Sequence, residues 1–140
     1  MNPIKRRLAK LCRQDDGATA VEFALIAPVL VALLMGIIEF GMILFTYTTA
    51  GAASRDVARR IATGRIAASA ASTTLTPQLP AWVRSYATVA VTQTTPATAS
   101  TNIITVNVSF PALRATPTTF LSLAYGSLTL QAATTMQQES

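Results

Sequence analysis

Glu22 is the residue of this sequence whose chemistry most needs an explanation. It follows Gly17 and Ala18 closely and lies near the start of a long apolar run. A carboxylate in an apolar segment is costly unless it reaches water or pairs with a cation. Gly17 separates this run from the polar stretch Gln14-Asp15-Asp16. We therefore expect the junction at Gly17 and Ala18 to be important for function.

The sequence offers few groups for catalysis or metal binding. It contains no histidine, and Cys12 is its only cysteine. Neither an internal disulfide nor a Cys/His metal cluster can form from these residues. There is also no nucleophile with a nearby base, no glycine-rich phosphate loop and no carboxylate pair in the distal half. We predict no enzymatic activity and no cofactor, and we interpret Cys12 as incidental.

The positive charge is concentrated in two clusters, and the formal net charge is +5. Nucleic-acid binding would favour basic residues spread over a folded face with aromatic residues among them. Here the first cluster flanks an apolar run, which is typical of the cytoplasmic side of a membrane protein. We therefore predict no nucleic-acid partner. The first cluster is Lys5, Arg6, Arg7, Lys10 and Arg13, and the second is Arg55, Arg59, Arg60 and Arg65.

Residues 18–45 have the length and composition of a transmembrane helix. Only Thr19, Glu22 and Glu39 interrupt their apolar character. As a helix they would extend roughly 40 Å, more than the ~30 Å hydrocarbon core of a bilayer. The two glutamates would lie about 25 Å apart, near opposite interfaces. We predict one crossing with residues 1–17 as a cytoplasmic basic leader, although the second basic cluster weakens the orientation signal.

A cleaved export signal is an alternative interpretation of the same run. Such signals have an apolar core of roughly 7–15 residues, followed by a site of small residues. Ala50-Gly51-Ala52 would be an acceptable site. Because it lies far from the basic leader, we rank this alternative below a permanent or processed membrane anchor.

Small residues recur along one ridge of the predicted membrane helix. Pro28 is expected to kink the helix locally, because it lacks a backbone donor. Small side chains at four-residue spacing allow a second helix to approach closely. A generic alanine-rich helix would have the same appearance, so the alternative of no specific packing stays open. The ridge consists of Ala20, Ala24, Pro28, Ala32 and Gly36.

Residues 46–68 are predicted to continue the helix with an amphipathic surface. Their apolar residues keep a spacing of three to four, which requires a surface to pack against. Charged residues lie largely on the other side of the helix. Arg55, Asp56 and Arg59 are candidates for a contact between subunits, and ordinary intrahelical pairs are the alternative. The apolar residues are Ala50, Ala53, Val57 and Ile61.

Residues 69–140 are predicted to form a small extracytoplasmic α+β domain. Ala70 to Pro80 is interpreted as a connection, and Pro80 to Tyr86 as a short helix that begins with proline. Alternating patterns predict strands at Thr88–Thr94, Asn102–Phe110 and Leu128–Met136, with a polar turn at 95–101. Three antiparallel strands with one apolar face would pack on the helix. The expected fold is therefore a membrane-anchored α+β protein.

The motifs along the first half of the chain resemble the TadE-like minor pilins, or pseudopilins, of the tight-adherence (Tad, or Flp) pilus system. These proteins are related to type IV pilins. The resemblance is strong from Asp16 to about Gly64, and beyond it only the strand pattern is similar. Its motifs are Gly17-Ala18-Thr19-Ala20-Val21-Glu22-Phe23-Ala24-Leu25, Pro28, Gly36-Ile37-Ile38-Glu39-Phe40-Gly41 and Ala53-Ser54-Arg55-Asp56-Val57-Ala58-Arg59.

The resemblance implies processing by a membrane-embedded prepilin peptidase between Gly17 and Ala18. It also implies that Glu22 pairs with the new N-terminal amine of a neighbouring subunit. Many relatives have tyrosine after this glutamate where this chain has Phe23, so a hydroxyl role is absent here. The implied partners are the bilayer, the peptidase, other pilins or pseudopilins and the inner-membrane Tad assembly platform. The implied location is the inner membrane, with the C-terminal domain outside the cytoplasm.

The sequence leaves two alternatives for the role of each glutamate and three candidate functions for the chain. Glu22 is either an assembly residue or an interfacial carboxylate that reaches water. Glu39 is either a solvated carboxylate at the outer interface or a group that pairs between helices. A minor pilin is the favoured function. The alternatives are an uncleaved single-pass scaffold and an exported soluble binding module.

Overall fold

The structure, a computed structural model, describes residues 16–94, 102–120, 122 and 126–138. Residues 1–15 of the predicted leader, which include Cys12, and the turn predicted at 95–101 lie outside the described residues, whereas Asp16 and Gly17 are described. The chain divides into two compact units, one ending at Ile37 and the other beginning at Ile38.

A single helix, α1, extends from Asp16 to Ala62. It combines the predicted membrane and amphipathic helices, and Pro28 lies inside it without ending it. The sequence favours this helix because its apolar part is rich in alanine and leucine, which have high helix propensity. After Ala62, Gly64 adopts a φ of 68° and its N–H bonds to the carbonyl of Ile61 at 3.0 Å. This left-handed glycine ends the helix before Ala68, the predicted boundary.

Three strands form one antiparallel sheet in the order β1-β2-β3. The strands are β1 (Thr88–Thr94), β2 (Ile103–Pro111) and β3 (Thr129–Gln137). Val106 of β2 opposes Val91 of β1 on one side and Thr134 of β3 on the other. The three strands agree with the predicted segments to within one residue at each end.

The core of the second unit lies between one face of this sheet and one face of α1. All four residues of the predicted apolar helix face are buried: Ala50, Ala53, Val57 and Ile61. On β2, the alternate residues Ile104, Val106, Val108 and Phe110 are buried. This arrangement confirms the predicted α+β architecture of a long helix with a small antiparallel sheet.

The segment between α1 and β1 differs from its prediction. The expected connection contains a short helix, α2 (Ala71–Leu75), flanked by 3-10 turns at Ala68–Ala70 and Thr76–Gln78. Leu75 and Leu79 are fully or almost fully buried, so apolar burial orders this Ser/Thr-rich stretch. The predicted short helix from Pro80 to Tyr86 is wrong. These residues form successive turns, in which Val83 N–H bonds to Pro80 and Tyr86 N–H bonds to Val83.

Candidate functional site

The junction predicted to be processed lies in the first turn of α1. Asp16 begins the helix, so Gly17 and Ala18 are already helical. A Cβ atom on Gly17 would meet nothing within 4 Å among the described residues. Packing against the described part of the chain therefore gives no reason for glycine at this position.

Glu22 and Phe23 project from an exposed part of α1. The side chain of Glu22 is exposed, and Phe23 has 69% of its surface accessible. Exposure continues along the helix, since Ala27 and Gly36 are the partly buried exceptions among residues 17–38. An 18-residue window of α1 has a mean hydropathy of 2.5. By length and composition, this exposed apolar helix is suited to cross a membrane.

The ridge of small residues lies open on the same part of α1. Ala20, Ala24, Pro28 and Ala32 are exposed, and Gly36 is half-buried. Because their side chains are small and accessible, a second helix could approach this side closely. The ridge as a packing surface for another subunit stays a prediction.

Glu39 differs sharply from Glu22. Its side chain is 1% exposed, and on the next turn Thr116 Oγ1 lies 3.8 Å from Met42 Sδ. The interpretation of Glu39 as a solvated edge carboxylate is therefore wrong. In the second unit (Ile38–Ser140, the distal unit), segments that follow α1 cover this side of the helix from Glu39 onward. Helical spacing alone does not specify this tertiary contact.

Arg55, Asp56 and Arg59 lie on the outer side of α1, but they do not pair with one another. Asp56 accepts a hydrogen bond from Arg60 Nε at 3.1 Å and one from Gln78 Nε2 at 3.2 Å. The hydrogen bond from Arg60 is the largest cause that lowers the pKa of Asp56, and desolvation, the second largest, opposes it. The hydrogen bond from Gln78 and the charges of Arg60 and Arg59 lower the pKa further. Arg55 Nε donates to the Gly51 carbonyl at 3.2 Å.

Arg59 lines a polar cleft of about 270 Å³ beside this ion pair. The other lining residues are Asp56, Arg60, Thr63 and Arg65. Three guanidinium groups face one carboxylate there, so the cleft has an excess of positive charge. A contact with an acidic partner surface is chemically suitable, and the role of these residues in subunit contact stays a prediction.

The sequence did not predict a polar cluster in which Thr46 of α1 contacts Trp82 and Ala115, from two segments that follow the helix. Thr46 is fully buried, and its Oγ1 donates to the Ala115 carbonyl at 2.6 Å. Trp82 Nε1 donates to the same carbonyl at 3.1 Å, and its ring centroid lies 6.5 Å from that of Phe45. A threonine directly after the apolar run, together with the only tryptophan, was the available signal. Buried Trp N–H groups generally require an acceptor.

Among the described residues, no group of three His, Cys, Asp or Glu side chains is arranged to hold a metal ion. The arrangement around Gly17 and Glu22 instead offers an accessible backbone, an exposed carboxylate and an apolar helix surface. These features are suited to recognition by other proteins within a membrane.

Comparison with known proteins identifies a family for part of the chain. No protein of curated function and no solved structure matches the chain. Residues 17–59 match the family model of TadE-like protein. The match begins at the predicted junction and includes Glu22, Pro28, Glu39 and the Arg55–Arg59 segment. The resemblance inferred from the motifs is thereby confirmed, and residues 17–59 are a TadE-like segment.

Proposed function

We propose that this chain is a minor pilin or pseudopilin that takes part in the assembly or initiation of a Tad-type pilus. A prepilin peptidase cuts it between Gly17 and Ala18. The mature chain is held in the inner membrane by α1, with the distal unit outside the cytoplasm. Its partners are the bilayer, the peptidase, other pilins or pseudopilins and the Tad assembly platform.

The observation that carries this proposal is the TadE-like match, because it begins at Gly17 and ends inside α1. It ties the chain to a function related to the Tad pilus. The match covers the exposed membrane segment and the first part of the amphipathic half, where a subunit would contact its neighbours. The accessible apolar surface of residues 17–38 supports an assembly role, since an exposed apolar helix requires lipid or other helices.

The geometry at Gly17 is compatible with processing. A peptidase needs extended backbone at the bond it cuts, and the first turn of a helix opens at low cost. A glycine keeps the backbone free of a side-chain clash in a narrow active site. Since Gly17 has open space around it, its requirement for small size would come from the peptidase and not from folding.

Processing would also create the partner that Glu22 needs. Cutting before Ala18 frees an α-amine, whose ordinary pKa of about 7.7–8.0 keeps it largely protonated at neutral pH. Within lipid, a carboxylate and an ammonium group stabilise each other far more than either is stabilised alone. The exposed Glu22 is available to the amine of a neighbouring subunit.

One alternative is disfavoured by a specific observation. Release after Ala52 would remove Ile43, Thr46 and Ala50, which are all buried in the second unit. An exported module that begins at Ala53 would therefore lose part of its own core. The uncleaved single-pass scaffold is compatible with the same contacts, so the experiment must distinguish cleavage from its absence.

The mass of the chain isolated from membranes tests the proposal. We expect loss of residues 1–17 in a strain with an active prepilin peptidase and an intact chain in a strain without it. An intact N-terminus in both strains would favour the scaffold. Loss of about fifty residues would favour export at the small-residue site.

Two leucine substitutions sharpen this measurement. Gly17→Leu should block processing and pilus formation while membrane insertion stays normal. Gly41→Leu is the matched control, because Gly41 also lies on α1 and a Cβ atom there would likewise meet nothing within 4 Å. Normal processing of Gly17→Leu would refute the assignment of the cleavage site.

A further inference from the structure

A glycine turn at the end of α1 brings a third arginine to the cleft that Arg59 and Arg60 line. Those two arginines lie in the last turn of the helix, whereas Arg65 follows it. The N–H of Arg65 donates to the carbonyl of Arg60 at 2.8 Å, and Gly64 N–H donates to that of Ile61 at 3.0 Å. This pair of bonds is how a left-handed glycine turns the chain back over a helix end. The turn therefore gathers three arginines around one cleft.

The arginines of the cleft differ in how they are paired. Arg60 Nε lies 3.0 Å from Asp56 Oδ2, which also accepts a hydrogen bond from Gln78 Nε2 at 3.2 Å. Arg59 and Arg65, by contrast, make no side-chain hydrogen bond or ion pair to any residue that the structure describes. The cleft therefore contains one arginine that is held by a carboxylate and two whose donors are available to a partner.

The helix dipole explains only part of this arrangement. Basic side chains in the last turn stabilise a helix, because its carbonyl end is partly negative. This effect accounts for Arg59 and Arg60, but it falls off beyond the last turn and gives no reason for Arg65. Like charges that line one cleft repel each other, and an anionic partner would relieve this repulsion. The arrangement is therefore better suited to binding an anion than to stabilising the helix alone.

The charges of the second unit disfavour another copy of this chain as the partner. Of its three acidic residues, Glu39 is 1% exposed, Asp56 is already paired, and Glu139 lies outside the described residues. Two copies of this surface would bring like charges together, which opposes association. The complementary carboxylates are therefore expected on a different protein. The six arginines of the unit are Arg55, Arg59, Arg60, Arg65, Arg84 and Arg114.

We propose that this cleft binds an acidic segment of a different subunit of the assembly, with Arg59 and Arg65 as the anchoring groups. A guanidinium group is planar and can donate two parallel hydrogen bonds to a carboxylate, so each arginine can hold one acidic side chain. Asp56 holds Arg60 and limits the number of anions that the cleft accepts. The proposal rests on the proposed function, because a pilus protein has other subunits as partners.

A protein carboxylate is favoured over an anionic lipid surface because the cleft has mixed charge. The carboxylate of Asp56 lies among the arginines and would be repelled by a densely negative surface. Separate carboxylates can approach Arg59 and Arg65 and avoid Asp56. The hydroxyl of Thr63 already donates to the Arg59 carbonyl at 2.9 Å, so it is not free to donate to a phosphate group. Anionic lipid is the main competitor, and the experiment separates the two.

A photoreactive residue at position 63 identifies what occupies the cleft in cells. Thr63 is exposed and lines the cleft, so the substitution places the probe beside the arginines. We expect an adduct with a different protein, mapped by mass spectrometry to a segment with two or more acidic residues. An adduct with a phospholipid, with a second copy of this chain or with a segment that lacks acidic residues would overturn the proposal.

Neutral variants test whether the arginines cause this contact. The double variant Arg59→Gln/Arg65→Gln should lower the adduct yield by about fivefold or more, since it removes both anchoring charges. Arg114→Gln is the matched control, because it removes the same charge at a side chain that stacks over Tyr86 at 4.4 Å, outside the lining of the cleft. It should change the yield by less than about twofold. Equal yields from the double variant and from wild type would contradict the proposal. All three arginines are exposed or half-buried, and unchanged Trp82 emission checks that the variants fold.

The purified full chain in uncharged micelles tests the chemistry without the pilus. With the same residue at position 63, a hexaglutamate peptide should form an adduct and a hexaglutamine peptide should not. Because the adduct reports only position 63, binding of the peptide to the basic leader does not contribute. The double variant should raise the half-maximal peptide concentration about tenfold, and Asp56→Asn should lower it about twofold, since it removes a repelling carboxylate.

The opposite directions of these two shifts distinguish binding at the cleft from a structural role of its residues. Equal adducts with both peptides, or an unchanged half-maximal concentration in the double variant, would overturn the proposal. The mass of the mature chain tests the proposed function separately. Loss of residues 1–17 without hexaglutamate binding would therefore refute the acidic partner and leave the pilin assignment intact.

Discussion

The two units of the chain use apolar residues in opposite ways. Between residues 17 and 38 of α1, large apolar side chains are exposed, such as Leu25 at 72% and Val29 at 70%. From Glu39 onward the same helix buries one side against the distal segments, and Val57 is 0% exposed. One continuous helix thus has a part that depends on its surroundings and a part that belongs to a folded core.

This difference separates the residues that the proposed function assigns to assembly from those that are buried in the folded core. In the first unit, packing among the residues that the structure describes gives no reason for Gly17, Glu22 or Phe23. Under the proposed function, lipid, a peptidase or a neighbouring subunit selects these residues. In the second unit, burial explains the spacing of Ala50, Ala53 and Val57 without any partner. Substitutions in the two units should accordingly affect different measurements.

Substitution of two phenylalanines, one in each unit, should give the largest difference in the free energy of unfolding. Phe110 is 1% exposed in the core of the distal unit, whereas Phe23 is 69% exposed. Phe110→Ala should lower the free energy of unfolding of the distal unit by about 3–5 kcal/mol, through lost burial and a cavity. Phe23→Ala should change it by less than about 0.5 kcal/mol. Denaturation in micelles, monitored by Trp82 fluorescence, measures both changes in the free energy of unfolding. Equal changes for the two variants would contradict the division into an exposed first unit and a folded second unit.

The two glutamates extend the comparison to charged residues. Glu39→Ala removes a buried side chain and should cost the distal unit roughly 1–3 kcal/mol, since its neighbours lose packing and polar contacts. Glu22→Ala should leave unfolding and processing unchanged but impair pilus formation. The checks are denaturation, mass measurement and electron microscopy of pili. Wild-type piliation of Glu22→Ala would remove its pairing role.

Two threonines on α1 test where the folded part begins. Thr46→Val removes the buried hydroxyl that bonds to the Ala115 carbonyl, although Trp82 still donates to that carbonyl. We expect a loss of about 1 kcal/mol and a shift in Trp82 emission. Thr48→Val is the control, because its exposed hydroxyl bonds only within its own helix, to Phe45. An equal response of the two variants would mean that the Thr46 cluster does not join α1 to the distal segments.

The sequence was sufficient for the elements that follow simple periodicity. Alternation located the strands to within one residue, and three-to-four spacing identified the buried side of α1 from Ala50 to Ile61. The motif around Gly17 and Glu22 identified the TadE-like segment. In each case the signal is local, because it depends on residues that are neighbours along one strand or helix.

The remaining features depend on contacts between distant parts of the chain. Glu39 is buried because segments that follow α1 cover one side of the helix. The sequence of the helix alone does not predict which side is covered or where the coverage begins. The helix α2 forms in a Ser/Thr-rich stretch because Ala71 and Leu75 enter the core. Turns replace the expected helix at 80–86, where Val83 is buried and Trp82 bonds to Ala115. Tertiary packing overrides weak local preference at these sites.

The smallest expected effect concerns Asp56, on the exposed side of the folded part of α1. The hydrogen bond from Arg60 lowers its pKa below the ordinary value of 3.8. A lowered pKa in the folded chain means that the ion pair stabilises the fold above pH 3.8, and this contribution disappears as pH falls through the lower folded pKa. Both side chains of the pair are more than 40% exposed, so solvent screens it. We therefore expect wild type to lose slightly more stability than Asp56→Asn between pH 6 and about pH 2.5, by less than about 0.5 kcal/mol. Denaturation curves of both proteins at several pH values measure this difference, and a larger loss for Asp56→Asn would reverse the sign of the predicted linkage.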